Sequence, residues 1–364
     1  MAAISLTNNT IYSQNINNFQ GELFRVGGQR TPMVSALGGL SGGGKVIQST
    51  FFQFQTADSA EISSAATVGA EGGQPTEYLG RDRVAYTQVT QIFHKGVKMS
   101  YTAMATYNQQ NPFDLSANII NSSDGDGTVT AADKLALFGG SPIVDEFAEQ
   151  MELALLKIAR EVEYFFWNGT FSDGANVTPG TGLRAFRGFH AHQALTGGNI
   201  YYADTDGDGG GTDQKLHWDA VAGAMKKLYD AQAPMQNLVL VVNPEQLLDL
   251  NKELINATVG STNYAILPRE RNVAGVDIDT VITPFGNIGL VVEETNLLGA
   301  NKAAIVDMSF IKPVFTNIPG KGTVFVRDID QDDYARVAKA IYMEMGFDFG
   351  PPQYHCKIED ITPA

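Results

Sequence analysis

The sequence predicts an α+β protein organised around one long helix. Three observations predict it. The stretch Ser141–Gly169 is amphipathic with helical period, the segments before it are β-branched and aromatic, and a strand–helix alternation starts at Leu216 and ends in long strands.

The helix is the plainest element. Ser141 is a suitable cap, and Pro142 suits the first helical position, where no amide proton is needed. Asp145 and Glu146 place negative charge in the first turn, where the helix dipole favours it. Phe147, Met151, Leu155, Ile158, Val162 and Phe165 recur at three- and four-residue steps, which is one apolar face. Asn168-Gly169 reads as the stop, with glycine in its usual left-handed role. At about 1.5 Å per residue the rod is roughly 40 Å long. It carries no catalytic spacing, only a stripe to pack against.

Residues 1–50 are rich in Asn, Gln, Ser and Gly, and read as an extended arm that gains its order on another surface. Phe51–Gln55 alternates like a strand, and Val84–Ser100 is β-branched and aromatic. About 25 small and polar residues join them, longer than an ordinary connection, so the pair reads as a projecting hairpin that lies on a partner. Residues 111–140 and 170–215 are loop-rich. Leu216–Ala231 has helical spacing, and Leu238–Val242 is a buried strand by its unbroken apolar run. Asn243-Pro244-Glu245-Gln246 is a helix start with the residues of a capping box. Val276–Ile282 and Ile288–Val292 make a second hairpin. Gly322–Val326 and Tyr334–Met345 are long strands, and the tail from Gly350 is extended.

Composition narrows the function classes. A chain of 364 residues is long enough for two or three domains. A net charge of -15 argues against gripping nucleic acid through a basic face, though not against lying near it. The single cysteine, Cys356, excludes an internal disulfide and fits a reducing cytoplasm. The first residues lack the basic and apolar regions of a signal peptide. No apolar run approaches a membrane-spanning length, so no membrane partner is expected.

Several motifs point to chemistry and stop short of it. Gly39–Lys45 has glycine spacing like a phosphate loop, but Val46 stands where a Ser or Thr would meet magnesium. Two Asp/Gly loops resemble calcium loops. In the first, Asp124, Asp126, Thr128, Thr130 and Asp133 are the candidate ligands, with Gly127 at the sharp turn and Ser122 in place of the first carboxylate. In the second, Asp204, Asp206 and Asp208 fill alternate positions, but Lys215 stands at the twelfth. Their bland reading is a solvated acidic turn. Calcium is thus the one cofactor the motifs suggest. His190 and His192 would share one face of a strand as metal ligands, without a third ligand nearby. His355 and Cys356 are adjacent, so on a strand they point to opposite faces and do not make a nucleophile and base.

The order of parts resembles the major capsid proteins of tailed bacteriophages, the Hong Kong 97 capsid fold. The resemblance runs through Thr31-Pro32-Met33, Phe51–Thr56, Tyr86–Lys95, Glu149–Gly169, Arg184–Gly188, Val241–Pro244 and Thr283–Gly286. The insertion at 111–140 and the loop at 204–213 depart from the pattern. The resemblance implies an arm (1–48), an extended β-hairpin loop (49–97), and a peripheral domain (98–215) holding a spine helix (141–168). A central axial domain (216–310) and returning strands with a C-terminal tail (311–364) complete it. It implies a shell of hexamers and pentamers around phage DNA and no enzymatic activity. The implied partners are copies of the chain, scaffolding, portal and decoration proteins, and packaged DNA without sequence-specific binding. Residence in the virion capsid follows, with assembly in the host cytoplasm. No long helical segment precedes the arm, so a separate scaffold, or none, is expected. Two other classes stand beside this one: a calcium-dependent binding or surface-layer module built on the Asp loops, and a metal hydrolase using His190, His192 and an aspartate.

Overall fold

The computed structural model describes residues 30–40, 44–57, 71, 83–102, 146–174, 183–204, 208–209, 211–259, 269–273, 276–283, 285–329 and 335–362. They fall into two units. Of the described residues, the smaller takes 96–102, 146–154, 328–329 and 335–340, and the larger takes those within 29–95, 155–327 and 341–364.

In chain order the elements are α1 (Pro32–Ala36), β1 (Lys45–Ile47), β2 (Phe51–Ala57), β3 (Arg83–Val89), β4 (Gln91–Ser100), α2 (Glu146–Asn168), α3 (Phe189–Gln193), β5 (Asn199–Tyr202), α4 (Trp218–Asp230) and β6 (Leu238–Val242). There follow α5 (Pro244–Val259), β7 (Arg269–Val273), β8 (Val276–Thr283), β9 (Gly286–Val292), α6 (Thr295–Leu298), β10 (Ala303–Asp307), β11 (Lys312–Thr316), β12 (Val324–Asp328), β13 (Arg336–Asp348) and β14 (Cys356–Glu359).

In the larger unit a mixed seven-stranded sheet runs β5-β14-β10-β6-β9-β8-β7. Its centre is β6, buried along its whole length, which explains the unbroken apolar run Leu238–Val242. Side chains alternate across a strand, so Leu238, Leu240 and Val242 share one face. On that face they join Val221, Ala224, Met225 and Leu228 of α4, with Ile305 of β10 and Ile358 of β14. Register places Ile305 against Leu240 on one side and Cys356 on the other. Two strands, β5 and β14, come from outside residues 216–310.

The start of α5 is a reciprocal capping box. The Gln246 amide donates to Asn243 Oδ1 at 2.8 Å, and the Asn243 amide donates to Gln246 Oε1 at 3.0 Å. Asn243 is fully buried, and its Nδ2 also donates to the Ala300 carbonyl at 3.2 Å. Asn243→Ala is expected to cost about 2 kcal/mol, the upper end for a lost cap. A lower urea midpoint with an unchanged slope would report it.

A second sheet of the larger unit pairs β1 in parallel with β11, and β11 antiparallel with the end of β13. Lys45 of β1 is held by Asp348 at 2.8 Å, so the lysine of the glycine-rich stretch serves the sheet rather than a phosphate. The hairpin β2–β3 is a separate two-stranded ribbon, in register from Phe51 opposite Val89 to Ala57 opposite Arg83. Thr90 divides β3 from β4: its amide donates to the Thr50 carbonyl and its hydroxyl to Glu344. In the smaller unit the Tyr101 amide donates to the Ala335 carbonyl, and the Ile329 amide to that of Ala338.

Three local expectations change. The segment after Thr31 is not wholly extended: Pro32–Ala36 is a short helix with Met33 and Val34 buried. The apolar stripe of α2 is rotated from the one expected. Ile158, Val162, Phe166 and Trp167 are fully buried, while Leu155 is 40% exposed. The reason is tertiary, because Phe347, Phe349 and Phe189 collect around Phe166 and Trp167 at ring distances of 5.0, 5.2 and 5.4 Å. Finally, Gly169 ends the helix without a left-handed conformation. A Cβ there would lie 2.6 Å from the Phe186 carbonyl oxygen, so glycine is needed for close backbone approach. The proposed cap at Ser141 and Pro142 lies outside the described residues.

Candidate functional site

Glu163 interrupts the apolar run of α2 between Val162 and the Tyr164–Trp167 aromatics, and it is fully buried. A carboxylate there needs donors. Two come from α1: the Met33 amide donates to Oε1 at 2.9 Å and the Val34 amide to Oε2 at 2.8 Å. These are first-turn amides, which a helix cannot satisfy itself. Beside Glu163 lies Glu293, just past the end of β9 and also buried. The Glu294 amide donates to Glu293 Oε1 at 3.0 Å, and Trp167 Nε1 points at Oε2 from 3.4 Å. Trp167 is one helical turn beyond Glu163, so α2 meets the pair with both side chains. The Glu293 amide donates to the Val242 carbonyl, which fixes this corner to β6. Arg160 closes the rim with a 2.6 Å ion pair to Glu294, and Asn168 Nδ2 donates to the Leu297 carbonyl at 2.6 Å.

The joint thus ties α1, the long helix and the C-terminal ends of the central β6–β9 pair through polar atoms. Burial, then the neighbouring Glu293, holds the Glu163 carboxyl well above the ordinary carboxylate range. Burial raises Glu293 as well.

The histidines behave otherwise than as metal ligands. His190 and His192 sit on the helix α3, not on a strand, and both are buried. His190 Nε2 donates to the Leu298 carbonyl at 2.9 Å, and His192 Nε2 to that of Gly350 at 3.1 Å. Burial pushes both down to about 3. His355 accepts the Asp307 amide on Nδ1 and donates from Nε2 to the Phe349 carbonyl. Burial pushes the Cys356 thiol up to about 12, the state of an inert core cysteine.

Of the aspartate loops, Asp124, Asp126, Thr128, Thr130, Asp133 and Asp206 lie outside the described residues. Asp204 is buried, and its Oδ2 accepts the amides of Gly209 at 2.8 Å and Gly211 at 3.1 Å, so this carboxylate shapes its own loop. Asp208 is described, in the same loop. Among the described residues no group of three or more His, Cys, Asp or Glu side chains is placed to hold a metal ion.

Sequence reasoning missed the Glu163–Glu293 pair. The signals were present: an acidic residue inside an apolar helical face, and Glu293-Glu294 ending an apolar strand.

A short helix at Pro32–Ala36, a hairpin ribbon, a long helix and a mixed sheet centred on β6 define the Hong Kong 97 type of capsid fold, and solved shells bear this out. The cyanophage A-1(L) capsid subunit is 12% identical with a TM-score of 0.57, over 97% of this chain and 100% of that one. The capsid of cyanophage P-SCSP1u is 12% identical with a TM-score of 0.51, over 100% of this chain and 97% of that one. Mycobacterium phage Ogopogo gives 12% and 0.51, over 97% and 99%. No curated protein matches the sequence. The family described as SU10 major capsid protein matches residues 5–362, and the chain belongs to it. It is a phage capsid shell protein, self-assembling into the shell of the virion.

Proposed function

We propose that the chain assembles into hexamers and pentamers that close an icosahedral head around phage DNA, and that it does so without enzymatic activity. The observation that supports this best is the β2–β3 ribbon. Its base is held by the body: Gln88 Nε2 donates to the Arg187 carbonyl and the Tyr86 hydroxyl to the Thr196 carbonyl. Towards its far end burial falls away, from Val89 and Gln88 to exposed Ala85, Val84 and Arg83. A two-stranded ribbon is marginal in water by itself. A neighbouring subunit gives it the missing surface, and the same contact repeats around closed symmetry.

In this reading residues 216–310, with β5 and β14, form the axial part, and residues 98–215 and 311–364 the periphery. Residues 1–48 act as the arm and 49–97 as the extended loop. Scaffolding, portal and decoration proteins are the partners of assembly in the host cytoplasm. The net charge of -15 suits a wall that holds DNA without adhering to it.

Electron microscopy with sedimentation of the purified chain tests the reading. Closed shells or sheets of hexamers are expected, alone or with the phage's scaffold. A monodisperse small particle that calcium organises, and that never closes with scaffold present, would overturn it in favour of a calcium-dependent module.

A further inference from the structure

Strand β4 shows one face to α2 and the other to solvent. Phe93 meets Phe165 of α2 ring to ring at 6.0 Å, and Lys95 pairs with Glu161 at 2.6 Å. Side chains alternate along a strand, so Ile92 and His94 turn the other way, and both are exposed. Both β4 and β12 pair with β13, and a row of rings crosses the three strands on this outer face. His94 lies 6.1 Å from Tyr342, and Tyr342 lies 5.3 Å from Phe325. Each end of the row carries a cation. Lys321 Nζ sits over the Phe325 ring at 5.2 Å, and Arg327 Nη2 lies 3.3 Å from His94 Nε2. A guanidinium can only donate, so His94 Nε2 accepts and the ring is neutral.

Among the described residues neither Lys321 nor Arg327 has a carboxylate partner. The acid on this face of β13, Glu344, is buried and already accepts from Arg184 at 2.9 Å and from the Thr90 hydroxyl at 2.7 Å. By contrast Lys45, Lys95, Arg160 and Lys357 each pair with an acid of their own chain. A chain of net charge -15 that assembles with its own copies brings acidic surfaces together, and like charges across an interface oppose that. Cations held outward without an acid are where such a chain can receive a neighbour.

We propose that this outer face of β4, β13 and β12 is a contact surface for a second copy of the chain, which sets carboxylates on Lys321 and Arg327 and apolar atoms along the rings between them. The contact rests on self-assembly of the chain, not on its division into hexamers and pentamers. Both cations are already positioned, one by the Phe325 ring and one by His94, so less side-chain freedom is lost when a partner arrives. The Arg327 fork suits a carboxylate in bidentate fashion. Ile92, 44% exposed, adds apolar surface on the same side of β4 as His94. Duplex DNA, with one phosphate per about 1.7 Å of axis, asks for a denser line of cations than two around an apolar row.

Zero-length carbodiimide coupling reads the contact in the unaltered protein, assembled alone or with the phage's scaffold from a mixture of unlabelled and nitrogen-15-labelled subunits. Peptides that join Lys321 to an aspartate or glutamate, with a different isotope on each side, are expected. Lys321 joined only within its own copy, or not joined, overturns the proposal. The double variant Lys321→Glu with Arg327→Glu should keep its urea midpoint, since both side chains are exposed and neither holds an acid of its own chain. It should need at least about tenfold more protein to assemble, because like charges then meet. Lys321→Arg with Arg327→Lys keeps both charges and should assemble as the unaltered chain does. A folded Glu variant that assembles normally overturns the contact, and a loss of duplex-DNA binding in it would assign the face to DNA instead. Failure of the icosahedral-head reading is a separate result, seen as unaltered protein that associates but never closes.

Discussion

Gly188→Ala is expected to take the folded protein out of the soluble fraction. A Cβ at residue 188 would lie 2.4 Å from the Gly169 amide nitrogen, 2.6 Å from the Phe165 carbonyl oxygen and 3.0 Å from that of Trp167. All three are backbone atoms, so no side chain can swing aside to relieve the contact. The reciprocal position is equally tight, because a Cβ at Gly169 would meet Phe165 O at 2.7 Å and Gly188 N at 2.9 Å. The two glycines are joined by the Gly188 amide donating to the Gly169 carbonyl at 2.8 Å. Just beyond, Ser172 and Ala185 exchange two backbone hydrogen bonds. This contact sets where the chain returns after the long helix, and so places Phe186 and Phe189 against Phe347 and Phe349. Forcing the backbones apart strains that bond and opens the aromatic cluster. The expected loss is at least about 4 kcal/mol, in the range reserved for core disruption. Soluble yield and the urea midpoint read it. A Gly188→Ala protein that folds with an unchanged midpoint would show that the close approach is not needed.

The same contact shows what was legible in the sequence and what was not. Asn168-Gly169 announced a helix end correctly, but for a reason that local rules supply wrongly. Gly169 is there for a backbone from residues 186–188, and nothing within a few residues reveals that neighbour. The capping box at Asn243–Gln246 was fully legible because all its atoms lie within one turn. The ribbon was legible because alternation and a long polar connection are local patterns. Glu163 was not. Its donors come from Met33 and Val34 and its fellow acid from Glu293, each well over a hundred positions away. A helical wheel places it beside the apolar stripe and assigns it to solvent. His190 and His192 misled in the same manner, since a His-x-His spacing suggests a strand face until α3 is seen to bury both rings. The order of elements carried the capsid resemblance, and order is what a family match over residues 5–362 tests. Which face of each element is buried depends on partners distant in sequence.

Acidification below about pH 6.5 is expected to destabilise the fold steeply, through those three buried histidines. An unfolded histidine titrates near 6.5. Burial pushes His190 and His192 down to about 3 and His355 down to about 4. Hydrogen bonds fix the neutral form of His355 most firmly, because Nδ1 must keep a lone pair for the Asp307 amide while Nε2 donates to Phe349. Below 6.5 the unfolded chain therefore binds protons that the folded chain refuses. Stability from these groups is complete above 6.5 and is lost as pH falls toward their folded values. Three such protons give a slope of about 4 kcal/mol per pH unit. The Glu163–Glu293 pair works the other way. Its raised titration means that the folded chain holds an extra proton above the ordinary glutamate range, so its contribution declines as pH rises. Where the folded chain still holds that proton, it offsets part of the histidine slope. Against a total stability of about 5–15 kcal/mol, the remaining slope is enough to unfold the protein within a few units. Urea unfolding at stepped pH measures the slope directly. His355→Gln, whose amide can still donate toward Phe349, is expected to reduce it by about 1.4 kcal/mol per unit. A slope near zero in the unaltered protein would mean that these rings gain protons in the folded state as readily as in the unfolded one.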